Sequence, residues 1–507
     1  MHILPLLARP LARVISRKLS HESVNAAYHQ HEVFKYLMEN GSGTVYGTLH
    51  KFGHIKSYDD FRKLVPIVDY ETLRPYIERS AAGEKDVLWP GMPKYFATTS
   101  GTTSGSKYIP ITPDSIHNHI NTARNALLLY VKRSGNYRMA AHGMIFLQGS
   151  PVLEKKGVIP AGRLSGIVAH HVPAYLQKNR MPSWKANCID DWETKVDAIV
   201  EETLKRRMSV ISGIPSWLRM YFERLVERTG RPVGDIFPDF SLMVHGGVNY
   251  EPYRPVMENL IGRPVDTLET YPASEGFIAF QDSGEGEGLL LNVNSGIFFE
   301  FIPVSEVDAA SPERISLEEV ETGTDYALVL SSNAGLWAYM LGDTVRFVSL
   351  NPYRLLVTGR VSQYISAFGE HVIASEVEEA LAEMSSAAGA RVNEFTVVPH
   401  ISPASGLPHH EWLIEFGKEP PSVEKFASGL DLAMRKRNHY YNDLVGGKVL
   451  GPLKIKKLPP GSFRDFLKLK GKLGGQNKVV HAANCRDQAD ELLDMVSRQG
   501  PPPSSSR

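Results

Sequence analysis

The sequence is short of cysteine and has no excess of either charge. Only Cys188 and Cys485 occur in 507 residues. No disulfide framework holds such a chain, and two distant thiols cannot alone make a thiolate zinc site. Scarce cysteine fits a reducing compartment, and the expected location is cytoplasmic. The 56 Lys and Arg match the 56 Asp and Glu, which argues against a surface that attracts nucleic acid or membrane as a whole. No apolar run is long enough for a spanning helix, so no integral membrane segment is expected. Residues 1–19 are apolar but broken by Arg9, Arg13, Arg17 and Lys18, and they lack the h-region and cleavage site of a secretory leader. They read as an amphipathic opening helix or a membrane-surface contact. Residues 500–507, rich in Pro and Ser, read as a disordered tail.

The zero net charge conceals an asymmetry. Residues 281–330 hold eleven Asp and Glu against one Arg, whereas residues 431–480 hold twelve Lys and Arg against three Asp. Each run reads as a solvated face, or, for the basic one, as a surface brought to a polyanion.

The middle of the chain alternates apolar runs with amphipathic stretches. Residues 144–148, 208–212 and 241–245 read as buried strands, and residues 192–207 and 215–228 as helices, with Pro215 suited to a first turn. This strand–helix–strand rhythm argues for a parallel sheet, whose ligands gather at the carboxyl ends of strands. Beyond Gly288 short strands with Gly, Pro and Asn between them (289–292, 297–302, 326–330, 345–350, 355–358) suggest a largely antiparallel subdomain. From about residue 360 a smaller unit follows, with helices over 375–384 and 423–440 and strands over 394–399, 411–416 and 453–458. The expected fold class is α/β: a large N-terminal domain (1–359) with parallel sheets and an antiparallel subdomain, and a small mobile α/β C-terminal domain (360–499).

Three short segments carry the chemistry. Residues 98–107 (TTSGTTSGSK) set small hydroxyl side chains and free backbone N–H groups around Gly101 and Gly105, an anion cradle expected as a loop between strand-like residues 94–97 and 108–111. The Walker pattern fails, because Ser106 stands where a glycine must precede Lys107. Residues 269–276 (ETYPASEG) read as a turn after a strand over 265–268, with Tyr271 to stack on a base, Ser274 to bond a phosphate and Glu275 to ligate Mg²⁺ through oxygen. Residues 339–343 (YMLGD) set Asp343 after a glycine turn; by itself Gly-Asp reads as a common turn, and alternatively as an acid that bridges ribose hydroxyls, as in other nucleotide sites.

The order of these segments resembles that of the adenylate-forming superfamily, and within it the auxin-responsive acyl-acid amido synthetases, especially their bacterial relatives. The family's first motif, of the type SSGTSxG ending in IP or MP, matches residues 99–110. Its second, YASSE, matches 271–275, and its third, YRxGD, matches 339–343. The resemblance also takes in residues 70–77, 246–253 and 474–478. Departures are Pro272 and Met340 inside the motifs, Val480 where relatives have Pro-Arg after a lysine, and Ser362 at the superfamily hinge.

Carried over residue by residue, the resemblance implies that Thr99, Ser100, Gly101, Thr102 and Thr103 hold the ATP phosphates with Ser274. Gly246, Gly247, Val248 and Tyr271 line adenine, and Asp343 and Arg360 hold the ribose. Glu275 binds Mg²⁺. Residues 362–370 form a hinge into a rotating C-terminal domain, and Lys478 reaches the nucleotide from that domain. Trp217 and Tyr339 are expected as apolar walls of an acyl pocket, although Trp217 serves equally as a core residue of its helix. The implied cofactors are ATP and Mg²⁺. The implied substrates are a small carboxylic acid and an amine of the amino-acid type, joined as an amide through an acyl-adenylate, by a monomer or weak oligomer with no nucleic-acid partner. Alternatives are an acyl-CoA synthetase with a thiol acceptor and a nucleotide-binding relative without turnover. His245 is a candidate acceptor for the amine proton or a structural histidine. His117, His119, His170, His171, His409 and His410 read as structural.

Overall fold

The computed structural model describes residues 3–499 other than 103–104, 173–176, 178, 190, 249, 308, 310, 362–363 and 471–478. The expectations at Thr103, Ser362, Lys478 and the tail 500–507 lie outside the described residues, and the side chains of Ser100, Gly101 and Thr102 are not described either. The chain forms two compact units. One comprises residues 1–99 and 107–361, the other residues 100–106 and 362–507.

The first unit is built on a sheet of twelve strands. At one end Arg180–Met181, Gly143–Phe146, Met208–Ser212, Leu242–Gly246 and Asp266–Ala273 run parallel. Met208–Ser212 is followed by a helix, Pro215–Thr229, with Pro215 in its first turn and Gly230 closing it in the left-handed region. That is the expected alternation, because an apolar strand buried on both faces needs a helix to cover it. From Asp266–Ala273 the sheet continues antiparallel through Gly276–Phe280, Leu289–Leu291, Tyr353–Arg360, Leu336–Leu350, Asp325–Ser332, Ile297–Pro303 and Ile315–Ser316. The antiparallel region is therefore no separate layer, and it starts at Gly276 rather than beyond Gly288. A second sheet of four strands holds Gly105–Ile111, Tyr95–Thr102, Ile159–Gly162 and Glu154–Lys156 in that order.

Local chemistry sets the element ends. Thr112 and Ser115 cap the helix Pro113–Ser134 reciprocally, and Gly135 closes it at φ +70°. Asp69 caps Tyr70–Ala81 by accepting from the Thr72 amide at 2.9 Å. Both devices satisfy donors that the first helical turn leaves unpaired.

Three expectations need correction. The Ser/Thr/Gly segment is largely extended: strand structure runs through Thr102 and resumes at Gly105. Backbone pairing holds the start of this stretch, where Ala97 lies opposite Gly162 in the neighbouring parallel strand. Asp343 does not follow a turn. It lies inside one strand of fifteen residues, Leu336–Leu350, where Gly342 takes φ +89° and the register shifts nearby. The segment 269–276 is strand through Ala273, so that only Ser274 and Glu275 form the turn.

The second unit has a three-stranded sheet, Arg391–His400, His409–Lys418 and Lys454–Leu458, the last pair parallel. Lys454, Lys456 and Lys457 are exposed on its edge strand, where charge discourages pairing with another chain. Residues 423–440, expected as one helix, are two. Asn438 caps the second, His439–Gly446, by accepting from the Tyr441 amide at 2.8 Å, and so ends the first, Val423–Arg437. The buried His410 donates Nε2–H to Glu370 Oε1 at 2.8 Å, an acidic partner that the sequence does not indicate.

Candidate functional site

The site is built around one carboxylate. Asp343 sits in Leu336–Leu350 directly opposite Arg360 of the antiparallel neighbour Tyr353–Arg360. Arg360 Nε donates to Asp343 Oδ1 at 2.6 Å, and Arg360 also donates to the Leu341 carbonyl at 3.3 Å. The other oxygen, Oδ2, accepts from the Tyr271 hydroxyl at 2.5 Å. Three strands separate the strand of Tyr271 from that of Asp343 in the sheet. In a flat sheet four strand steps span about 19 Å, too far for a tyrosine and an aspartate to meet. The sheet therefore curls strongly, and both side chains point into its concave side.

Burial gives this contact its character. Tyr271 is 8% exposed, and its pKa is raised by desolvation and then by Asp343, so it stays a neutral donor. Two oxygens of a carboxylate offer about four acceptor sites, and two are taken, so Asp343 retains capacity for a ligand's hydroxyls.

Glu275 lies in the two-residue turn between Asp266–Ala273 and Gly276–Phe280, where Ala273 and Gly276 pair. A Cβ at Gly276 would come within 2.3 Å of Ile297 Cδ1, so the turn packs closely on that side chain. The Glu275 side chain keeps some exposure, but its carboxyl is enclosed by protein. Desolvation raises its pKa, and Lys107 opposes that rise. Lys107 is itself depressed by burial, with Glu275 countering and Arg360 reinforcing the depression. Its Nζ lies 5.9 Å from the ring centroid of Tyr70, whose hydroxyl accepts from the Tyr108 amide at 3.0 Å. A buried carboxylate, a part-buried lysine and the Tyr271–Asp343–Arg360 chain thus share one electrostatic environment. Sequence reasoning used Lys107 only to reject a Walker loop. Its place at the end of a Ser/Thr/Gly cradle was the available signal.

The two glycines after Leu242–Val244 have distinct reasons. A Cβ at Gly246 would overlap the Thr270 carbonyl oxygen of the adjacent strand, and Gly247 takes φ +84°. Val248 follows, part-buried. His245 is 4% exposed and stacks on Tyr250 with centroids 4.3 Å apart. Its Nδ1 has no hydrogen-bond partner among the described residues. Burial pushes its pKa down to about 4, so the ring is neutral at pH 7.

The expected acyl-pocket residues come from different elements. Tyr339 is 1% exposed in the main core cluster, and Glu275 and Arg360 are among the charges that act on it. Trp217, 7% exposed, is held in the first turn of Pro215–Thr229. Thr99 lies on the strand Tyr95–Thr102, and Ser274 beside Glu275. Among the described residues no group of three or more His, Cys, Asp and Glu could hold a metal.

Comparison with known proteins identifies the family. Residues 15–188 match the GH3 family N-terminal domain, 290–360 the GH3 family central domain and 375–487 the GH3 family C-terminal domain. Tyr271 and Glu275 fall in the stretch between the first two. A curated relative, the indole-3-acetic acid-amido synthetase GH3.3 of Arabidopsis thaliana, is 23% identical over 87% of this chain and 86% of its own length. In solved structures, the GH3.15 acyl acid amido synthetase superposes with a TM-score of 0.60 at 18% identity, covering 96% of each chain. A 2-hydroxyisobutyryl-CoA ligase superposes at 0.57 and 15% identity, covering 93% of each; the architecture is thus common to enzymes named for amide and for thioester products. The three domain models follow one another in order and together take in more than half of the sequence: the chain belongs to the GH3 family.

Proposed function

We propose that the protein is an ATP-dependent acyl-acid amido synthetase. The observation that carries the reading is the meeting of Tyr271, Asp343 and Arg360 in the curled sheet, with Glu275 and, from the second sheet, Lys107 acting on one another electrostatically. Such a set can orient a ribose with one carboxylate and counter phosphate charge with a lysine. The amide product is supported by the family and by the names of its curated members.

In the first step a carboxylate oxygen of the acid attacks the α-phosphorus of ATP. An oxygen–phosphorus bond forms, the bond to pyrophosphate breaks, and an acyl-adenylate results. In the second the amine nitrogen attacks the acyl carbon, the bond to AMP breaks, and the nitrogen loses a proton. Adenylation supplies the leaving group, so no enzyme nucleophile is needed. The work of the protein is positioning and charge stabilisation. Thr99, Ser100, Gly101, Thr102, Thr103 and Ser274 hold the phosphates, with Lys107 added to them. Gly246, Gly247, Val248 and Tyr271 line adenine, Asp343 and Arg360 hold the ribose, and Tyr339 and Trp217 wall the acyl group. Lys478 binds the nucleotide, and the chain divides into a large domain, residues 1–359, and a small domain, residues 360–499. Burial lowers the basicity of His245, which makes it a weak acceptor for the amine proton.

The donor set fits Mg²⁺. Glu275 offers a carboxylate for oxygen ligation, and Mg²⁺ commonly takes one or two carboxylates together with substrate phosphates. Bound at Glu275, the ion would neutralise charge on the phosphoryl oxygens.

The test is a matrix of carboxylic acids and amines with MgATP, scored for pyrophosphate, AMP and amide. Amide with amino acids but not thioester with CoA is expected. Thioester formation alone replaces the reading with its thiol alternative, and no pyrophosphate from any acid removes both. Glu275→Ala is expected to lower pyrophosphate release by about 10²–10³-fold, the scale of losing one key electrostatic partner.

A further inference from the structure

The helix Ile3–Val24 has two faces of unlike chemistry. Its inner face is docked. Ala12 and Leu19 are buried in a core cluster with the helix Pro113–Ser134, and Ile15 packs against it. Glu22, the only acid of the helix, is 8% exposed and accepts from Asn294 Nδ2 at 2.8 Å. These residues recur at helical spacing, so the opposite face is turned permanently outward.

The outward face is at once apolar and basic. Val14 is 63% exposed and Val24 65%, on one line with exposed Arg17 and His21. Leu11, 45% exposed, and Lys18 flank that line on one side, Arg9 and Arg13 on the other. Lys18 has an ion pair with the buried Glu22 at 3.7 Å, whereas Arg9, Arg13 and Arg17 have none among the described residues. An acid-free row of cations around exposed valine and leucine is not the surface of an ordinary solvated helix, which mixes both signs.

We propose that this face binds an anionic lipid surface. The basic side chains meet lipid headgroup phosphates and carboxylates, and Leu11, Val14 and Val24 enter the headgroup layer. The apolar inner face stays in the protein core, so the contact is peripheral, reversible and weakened by salt. The zero net charge of the whole chain does not oppose this, because a field falls off within a Debye length and the patch is local.

The test is co-sedimentation of the full chain with vesicles of phosphatidylcholine alone and of phosphatidylcholine mixed with phosphatidylserine. Binding to the mixed vesicles is expected to exceed that to neutral ones by about tenfold or more and to fall as salt is raised. Arg13→Glu with Arg17→Glu is expected to abolish that excess, and Val14→Asp to reduce it, each with an unchanged thermal midpoint. No excess on anionic vesicles overturns the proposal. So does an excess that survives the charge reversals, which would place the contact elsewhere. A concentration-dependent dimer that Val14→Asp dissociates, without vesicle binding, overturns it in favour of a second copy of the chain.

Discussion

Two acid–arginine pairs occupy the same sheet and do different work. Glu300 and Arg314 are 0% and 4% exposed, with Arg314 Nε 3.1 Å from Glu300 Oε1. Arg314 also donates to the carbonyls of Phe61 and Val65 at 3.2 and 2.6 Å, tying an early helix to the strand Ile297–Pro303. Burial raises the Glu300 pKa and Arg314 opposes it. Nothing can reach this pair from solvent. Asp343 and Arg360 keep 18% and 22% of their side-chain surface exposed, and their neighbours are Tyr271 and the Glu275 environment rather than helix carbonyls. A closed pair tied through Arg314 to backbone carbonyls is a structural joint. A pair left ajar, with acceptor capacity unspent, is a binding device.

The largest effect expected from this contrast is on stability. Arg314→Met leaves Glu300 buried and unpaired and is expected to cost about 3–5 kcal/mol, whereas Glu300→Leu with Arg314→Met together regains most of it. Urea unfolding measures both, and KM for ATP of the folded variants should stay within about twofold. Asp343→Asn is expected to invert the pattern. Losing charge-assisted hydrogen bonds of about 1.5–3 kcal/mol raises KM for ATP about 10- to 100-fold, with little change in unfolding. A collapse of stability at Asp343 with normal ATP binding would erase the distinction between the pairs.

The smallest effect belongs to the second unit. His481 lies 3.0 Å from Glu394 and 2.6 Å from Glu378 and stacks on Phe395. The bond to Glu394 first, and then that to Glu378, raises its pKa. The protonated ring therefore stabilises the fold fully below the ordinary histidine value of about 6.5, and the benefit is lost as pH rises through the raised value. With the ring part-exposed, less than about 1 kcal/mol is expected. His481→Gln should flatten the fall in thermal midpoint between about pH 6 and pH 8 without touching ATP binding.

Much of the fold was legible because it is local. The strands Met208–Ser212 and Leu242–Gly246 and the helix Pro215–Thr229 announce themselves by apolar period and by Pro215. What failed was turn chemistry judged without neighbours. Gly342 with Asp343, and the run around Gly101, look like turns in isolation, yet sheet partners hold both in strands. At the site, the residue types were legible and their company was not. Asp343 and Arg360 are both expected at the ribose, but the sequence does not show that the oxygens of Asp343 are shared with Tyr271 and Arg360. The role of Lys107 is not legible locally, because its partner Glu275 is far away in the sequence.

The sequence by itself determined the α/β alternation, the ordered motifs and the hydroxyl, acid and glycine chemistry they carry, since each is written within a few residues. Tertiary structure alone decided which of these groups act together. Tyr271 and Asp343 are 72 residues and four strand steps apart. They meet because backbone twist and side-chain packing curl the sheet, and no local pattern encodes that curvature.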